Sequence, residues 1–145
     1  MNYTREQALA LTTDRYVSVT ANAGSGKTKV LVDRYFNILF NGDNEDSIDC
    51  RRVVAITFTR KAASEMLAKV VKRIEQEIKI ASDPKSLKKL KKIRENLIYA
   101  RISTIHSFAS SLLRDYPIEA GVLPTFTELG KADEMILYND AITEV

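Results

Sequence analysis

The stretch Ala21-Asn22-Ala23-Gly24-Ser25-Gly26-Lys27-Thr28 limits the fold more than any other part of the chain. It follows the apolar run Tyr16-Val17-Ser18-Val19-Thr20 and precedes a helical pattern that begins at Lys27. A strand, a glycine-rich turn and a helix opening on Lys-Thr form a phosphate-binding loop, because backbone N–H groups and the positive end of the helix dipole converge on one spot. Gly24 and Gly26 let the backbone approach a polyphosphate without a Cβ in the way. Lys27 is placed to reach the β- and γ-phosphates, and the Thr28 hydroxyl to coordinate Mg²⁺, which makes these two the candidate catalytic residues. The general pattern has glycine first, where this chain has Ala21. A glycine loop that merely ends a strand is the plainer reading, and Gly-Lys-Thr at a strand-to-helix junction argues against it. The sequence therefore predicts a nucleoside triphosphate site, lined by Ala21, Asn22, Ala23, Gly24, Ser25, Gly26, Lys27 and Thr28.

The remaining elements follow from periodicity and punctuation. Thr4 and Gln7 are spaced as a capping box opening a short helix through Leu11. Tyr16 to Thr20 reads as the first strand. Lys27 to Phe40 has apolar residues at Val30, Leu31, Tyr35, Ile38 and Leu39, a helical period, and Asn41-Gly42-Asp43-Asn44 stops it. After an acidic loop, the run from Arg52 to Thr57 suits a strand buried on both faces of a parallel sheet. Helices are predicted over Ala62–Ile80 and Lys85–Leu97, separated by Ser82-Asp83-Pro84, with Asp83 or Ser82 as the cap. A strand over Ala100–Thr104 and a helix over Ile105–Leu113 come next. Pro117 and Gly121 mark a loop, Pro124 to Leu129 is extended, and Gly130 precedes a last helix over Ala132–Ala141. Strands alternating with helices give an α/β fold whose partial parallel sheet, here of three strands, is flanked by helices.

Composition bounds the rest. A length of 145 residues fits one domain, and 45% hydrophobic with 28% charged residues is the balance of a globular protein. No apolar run approaches the ~20 residues of a membrane span, and the amino terminus lacks the basic-then-apolar layout of a secretory leader. A membrane partner is not expected, and the cytoplasm is the expected location. Cys50 is the single cysteine, which excludes an intrachain disulfide. A net charge of +3 suits a nucleic-acid partner without requiring one.

Two further motifs stand at predicted strand ends, where ligands of parallel sheets bind. In the first, Thr57, Thr59 and Lys61 offer hydroxyls and charge to a phosphate backbone, and Phe58 offers a ring for a base to stack on. The same residues also suit a structural role, with Phe58 in the core and Lys61 at a solvated helix start. In the second, Thr104, His106, Ser107 and Phe108 repeat the layout. His106 is the single histidine, so a metal site through it is not expected.

Together the three segments resemble the amino-terminal part of superfamily 1 DNA helicases of the UvrD/Rep type. The family's phosphate loop reads Ala-x-Ala-Gly-Ser/Thr-Gly-Lys-Thr, so Ala21 is normal there. Its motif Ia resembles Thr57 through Met66, its motif Ic resembles Thr104 to Phe108, and its adenine-reading glutamine matches Gln7. The stretch from Leu112 to Gly121, with Pro124 and Phe126 after it, is similar to the AddA and RecB branch of helicase–nucleases. The resemblance implies a RecA-like P-loop fold, ATP with Mg²⁺ as cofactors, single-stranded DNA as a partner, a second helicase–nuclease subunit, and work in DNA repair or recombination.

The family's Walker B strand ends in Asp-Glu, and the one such pair here, Asp133-Glu134, follows Lys131 and Ala132 rather than four apolar residues. Residues 1–145 are therefore expected to be the amino-terminal part of a first motor domain, truncated before Walker B, with 130–145 opening an inserted helical subdomain. Alone they are expected neither to hydrolyse ATP nor to unwind DNA. The alternative is a free-standing nucleotide and single-strand binding module without turnover. The lysines between Lys85 and Lys92 read as a solvated helix face over a stripe of Leu87, Leu90, Ile93 and Leu97, or as a patch for duplex phosphates.

Overall fold

Helix starts lie where capping residues place them. In the computed structural model, which describes residues 3–22, 24–41 and 49–143, helix α1 (Arg5–Ala10) opens on the expected box. The Thr4 hydroxyl accepts from the Gln7 N–H at 3.2 Å, and the Gln7 amide oxygen accepts from the Thr4 N–H at 3.1 Å. This satisfies two of the donors that a helix start leaves without partners. Thr59 caps α3 (Arg60–Ile80) by accepting from Ala62 N–H, and Asp83 caps α4 (Pro84–Asn96) by accepting from Ser86 N–H, with Pro84 in the first turn. The bonds to Ser86 hold the Asp83 carboxyl below the usual carboxylate range. The expected stop at Gly42 to Asn44, and Ala23 of the loop, lie outside the described residues.

Strands β1 (Val54–Thr57) and β2 (Arg101–Thr104) pair in parallel, with Val54 opposite Arg101 and Thr57 opposite Thr104. Helices α3 and α4 lie between them in sequence, so the crossover carries a large share of the core, with Met66, Val70, Ile74, Leu90, Ile93 and Leu97. That core joins α2 (Lys27–Phe40), α3 and α4 to one face of the sheet. Leu39, Val70, Ile74, Leu90, Ile93 and Cys50 are its most deeply buried side chains. Burial raises the Cys50 thiol above its ordinary pKa, with the nearby Asp49 charge adding to the effect. Of the expected stripe Leu87, Leu90, Ile93 and Leu97, the last three are buried and Leu87 is half-buried, with Leu97 directly after the end of α4.

Three expectations need correction. Tyr16 to Thr20 forms no strand, and among the described residues the sheet has two strands instead of three. A strand exists only through a neighbour that takes up its hydrogen bonds. Here Tyr16, Val17 and Val19 are exposed and lack one. β1 is also not buried on both faces. Ala55 faces the helices, whereas Val54 and Ile56, on the opposite side of the pleat, are 41% and 49% exposed. Finally, α2 buries Val32 and Phe36 with Tyr35 and Leu39, while Leu31 stays 44% exposed and Val30 partly so.

The chain divides into two compact units, Met1–Phe108 and Ala109–Val145. Helix α5 (Ile105–Asp115) runs from the first into the second. Within the second unit, Arg114 stacks 5.5 Å from the Phe126 ring centre, and Gly121 takes a left-handed φ of 67° at the turn after Pro117. Pro124 and Thr125, expected to be extended, form a turn, and Phe126 to Leu129 belong to no strand. Helix α6 (Lys131–Thr143) carries Asp133 and Glu134, both exposed, in its first turn. Asp133 accepts from Gly130 N–H at 3.3 Å, the position a helix dipole favours for a carboxylate. No helix among the described residues is long and apolar enough to cross a membrane.

Candidate functional site

Gly24 and Gly26 sit at φ 79° and 83°, in the left-handed region that glycine alone enters without strain. Gly26 is also the N-cap of α2, and having no side chain it leaves the first N–H groups of that helix without a side-chain cap. Uncapped donors at a helix start are the groups an anion binds. Lys27 folds back across the loop, its ammonium donating to the carbonyls of Ala21 and Asn22, each at 2.7 Å. A cation thus stands over the loop's concave side. Thr28 follows it, exposed, in the first turn of α2. These residues fit a triphosphate with its Mg²⁺.

Gln7 ties α1 to this loop. Its amide nitrogen donates to the Ser25 carbonyl at 3.1 Å, and a Cβ on Gly26 would stand 3.2 Å from that nitrogen. A glutamine amide offers two donors and two acceptor sites, so the bonds to Thr4 and Ser25 leave one of each. Gln7, Ser25 and Lys27 line a cleft of about 650 Å³, whose apolar side is formed by Ala10, Val17, Val19, Val30 and Leu31.

The second and third motifs meet through strand pairing, since Thr57 and Thr104 are register partners at the carboxyl ends of β1 and β2. Their hydroxyls are largely engaged in shaping the loops. Thr57 donates to the Thr59 carbonyl at 3.0 Å and Thr59 caps α3. Thr104 lies 3.0 Å from the Ser107 hydroxyl and accepts from the Ser107 N–H at 3.3 Å. The side chains left to face a ligand are Phe58, Lys61 and His106, all exposed, and Phe58 is fully so. A core role for Phe58 is thereby excluded, whereas Phe108 is half-buried. No cluster of three or more metal-ligating side chains occurs among the described residues.

The UvrD/REP helicase N-terminal domain matches residues 1–144. The chain belongs to this family. Among its relatives, the AddA subunit of the ATP-dependent helicase/nuclease of Exiguobacterium sibiricum is 40% identical over 130 residues, covering 90% of this chain and 11% of the relative. The protein of the same name from Staphylococcus aureus strain JH9 is 38% identical over 133 residues, or 92% of this chain and 10% of the relative. That of Desulfitobacterium hafniense strain DCB-2 is 32% identical over 143 residues, or 99% and 10%. The chain thus spans about a tenth of the length of the curated relatives it matches. These names agree with the helicase–nuclease branch expected from Leu112 to Phe126.

Two supports of this cleft lie outside the sequence motifs. Arg34 of α2 donates to the carbonyls of Ala10 at 2.9 Å, of Thr12, and of Arg15 at 3.3 Å, fastening the segment after α1 beside the cleft. Asp33, only 4% exposed, accepts from Tyr3 Oη at 2.8 Å and from Arg73 Nε at 2.9 Å. Arg73 also bonds Glu77 and lies 4.8 Å from the centre of the Phe36 ring. Burial disfavours the Arg73 charge, yet the bonds to Glu77 and Asp33 outweigh it and raise its pKa. Burial, then the bond to Asp33, raise the Tyr3 hydroxyl. This network locks α2, and with it the loop, onto α3.

Proposed function

We propose that this chain is the ATP-binding and single-strand-contacting part of the first motor domain of an ATP-dependent superfamily 1 DNA helicase. The fold is RecA-like, and 130–145 opens an inserted helical subdomain. The full-length protein acts in repair or recombination beside a second helicase–nuclease subunit. The observation that carries the reading is the built loop, with two left-handed glycines, uncapped α2 donors and the Lys27 ammonium converging where Gln7 braces Ser25. Bound ATP supplies a phosphoanhydride whose cleavage needs charge neutralisation more than covalent help. Lys27 neutralises charge on the β- and γ-phosphates, the α2 N–H groups hold phosphate oxygens, and Thr28 is the metal's protein ligand. Gln7 orients the base, and Leu31 and Val30 give its ring an apolar neighbour. Among the described residues, Glu6, on the first turn of α1, is the one carboxylate that lines that cleft. The chain alone therefore binds ATP without turning it over.

Gln7→Ala tests the adenine assignment. ATP affinity is expected to fall by about 1–3 kcal/mol, the cost of one or two lost hydrogen bonds, with a pyrimidine triphosphate much less affected. Titration of both nucleotides against the same preparation measures it, and equal weakening would reduce Gln7 to a helix cap and loop brace.

Phe58, with Lys61 and His106 beside the paired ends of β1 and β2, is the stacking surface for an unpaired base. Phe58→Ala is expected to weaken single-stranded DNA by roughly 1–3 kcal/mol while leaving the melting temperature unchanged, because the ring packs against nothing in the core. Anisotropy with a labelled oligonucleotide reads the first and thermal unfolding the second. A stable variant that binds as tightly as wild type would remove Phe58 from the DNA contact.

A further inference from the structure

We propose a second nucleic-acid contact, a cleft between the first turns of α2 and the middle of α3 that holds the phosphate backbone of duplex DNA. The proposal rests on the reading of this chain as part of a DNA motor and adds a site that neither the phosphate loop nor the β1–β2 rim contains. The cleft, of about 240 Å³, is lined by Lys29, Asp33, Lys69, Lys72, Arg73 and Gln76 along with Val32.

Its charges do not cancel. Asp33 and Glu77 are both bonded by Arg73, and Asp33 also takes the Tyr3 hydroxyl. Lys29, Lys69 and Lys72 are exposed and enter no ion pair among the described residues. The four cations exceed the two carboxylates by two charges. Lys69 and Lys72 are neighbours on one helix face, with Cβ atoms about 5–6 Å apart, so both reach phosphates of one strand.

The cleft also lacks what an unpaired strand requires. A single strand is held by rings on which its bases stack. Here the Tyr3 ring is already covered by the Lys29 ammonium at 4.8 Å from its centre, and the buried Phe36 ring by Arg73. What remains is charge and the Gln76 amide, which contact a backbone and read no bases. A duplex, with its bases stacked inside, offers that backbone.

The test is the double variant Lys69→Ala/Lys72→Ala in the full chain. Alanine is the best helix former, so α3 keeps its fold. Binding of a blunt mixed-sequence duplex and of a single-stranded oligonucleotide is measured between 50 and 200 mM KCl. The slope of log K against log salt for the duplex is expected to shrink by about 0.9 per lysine removed, with ATP and single-strand affinities unchanged. Lys79→Ala/Lys131→Ala, at exposed positions outside the cleft, removes the same charge elsewhere and is expected to leave the duplex slope in place. An unchanged slope in the first variant, an equal loss in both, or a wild-type chain that ignores duplex at 50 mM KCl would each overturn the site. Loss of single-strand binding in Phe58→Ala speaks to the rim alone, so the two readings fail separately.

Discussion

Lys27→Ala is expected to reduce ATP affinity by at least about 3 kcal/mol, a hundredfold or more. Its ammonium is the cation that already stands over the loop, held by the Ala21 and Asn22 carbonyls. Charge-assisted bonds of this type contribute about 1.5–3 kcal/mol each, and a lysine there makes two with a triphosphate. Arg34, the other cation lining the cleft, is committed to the carbonyls of Ala10, Thr12 and Arg15 and is not free to substitute. Folding should be preserved, because the Lys27 side chain is exposed and surface changes usually stay within about 0.5 kcal/mol. Calorimetric titration of ATP with Mg²⁺, beside a melting curve of the same preparation, measures both. ATP affinity within threefold of wild type would show that the phosphates lie elsewhere.

Asp33→Ala should have the largest effect on stability, a loss of about 2–3 kcal/mol. Removing one partner of a largely buried ion pair takes away part of the compensation of the other charge and leaves donors without their acceptor. Arg73 would retain Glu77 but lose its bond across to α2, and the Tyr3 hydroxyl would lose its acceptor. A triple substitution, Asp33→Leu with Arg73→Met and Glu77→Gln, removes all three charges and should recover most of the loss, since apolar replacements of buried ion pairs are often neutral. Urea unfolding of wild type, single and triple variants gives the comparison. A single variant within 1 kcal/mol of wild type would mean that the pair adds little to holding α2 against α3.

The contrast between these two positions shows what a sequence makes readable. Lys27 belongs to a contiguous loop whose chemistry depends on neighbours no more than six residues away, so eight consecutive letters specify it. Helix starts at Thr4 and Asp83 are readable for the same reason, because a cap bonds an N–H three residues on. Asp33 pairs with a residue forty positions distant, and no local pattern names its partner. A signal is present nonetheless. Asp33 stands between Val32 and the buried Tyr35 and Phe36, and an acid beside such a face must find a cation. The apolar run at Tyr16 to Thr20 misleads in the opposite direction. Its composition suits a strand, yet strand identity resides in the partner, and the described residues supply none. The bare face of β1 is hidden likewise, because an unbroken Val-Val-Ala-Ile run cannot tell a doubly covered strand from a singly covered one. At the rim, the motif residues are neighbours in space, as their strand-end positions imply, but Thr59 and Thr104 spend their hydroxyls on helix starts. Phe58, Lys61 and His106 are left to meet a ligand.

Whether this loop drives a DNA motor is tested most directly by ATP hydrolysis in the full-length protein, measured with and without single-stranded DNA. The expected result is Mg²⁺-dependent hydrolysis that rises several-fold with single-stranded DNA, disappears in Lys27→Ala, and loses much of its DNA stimulation in Phe58→Ala. Hydrolysis indifferent to DNA, or surviving in Lys27→Ala, would contradict it.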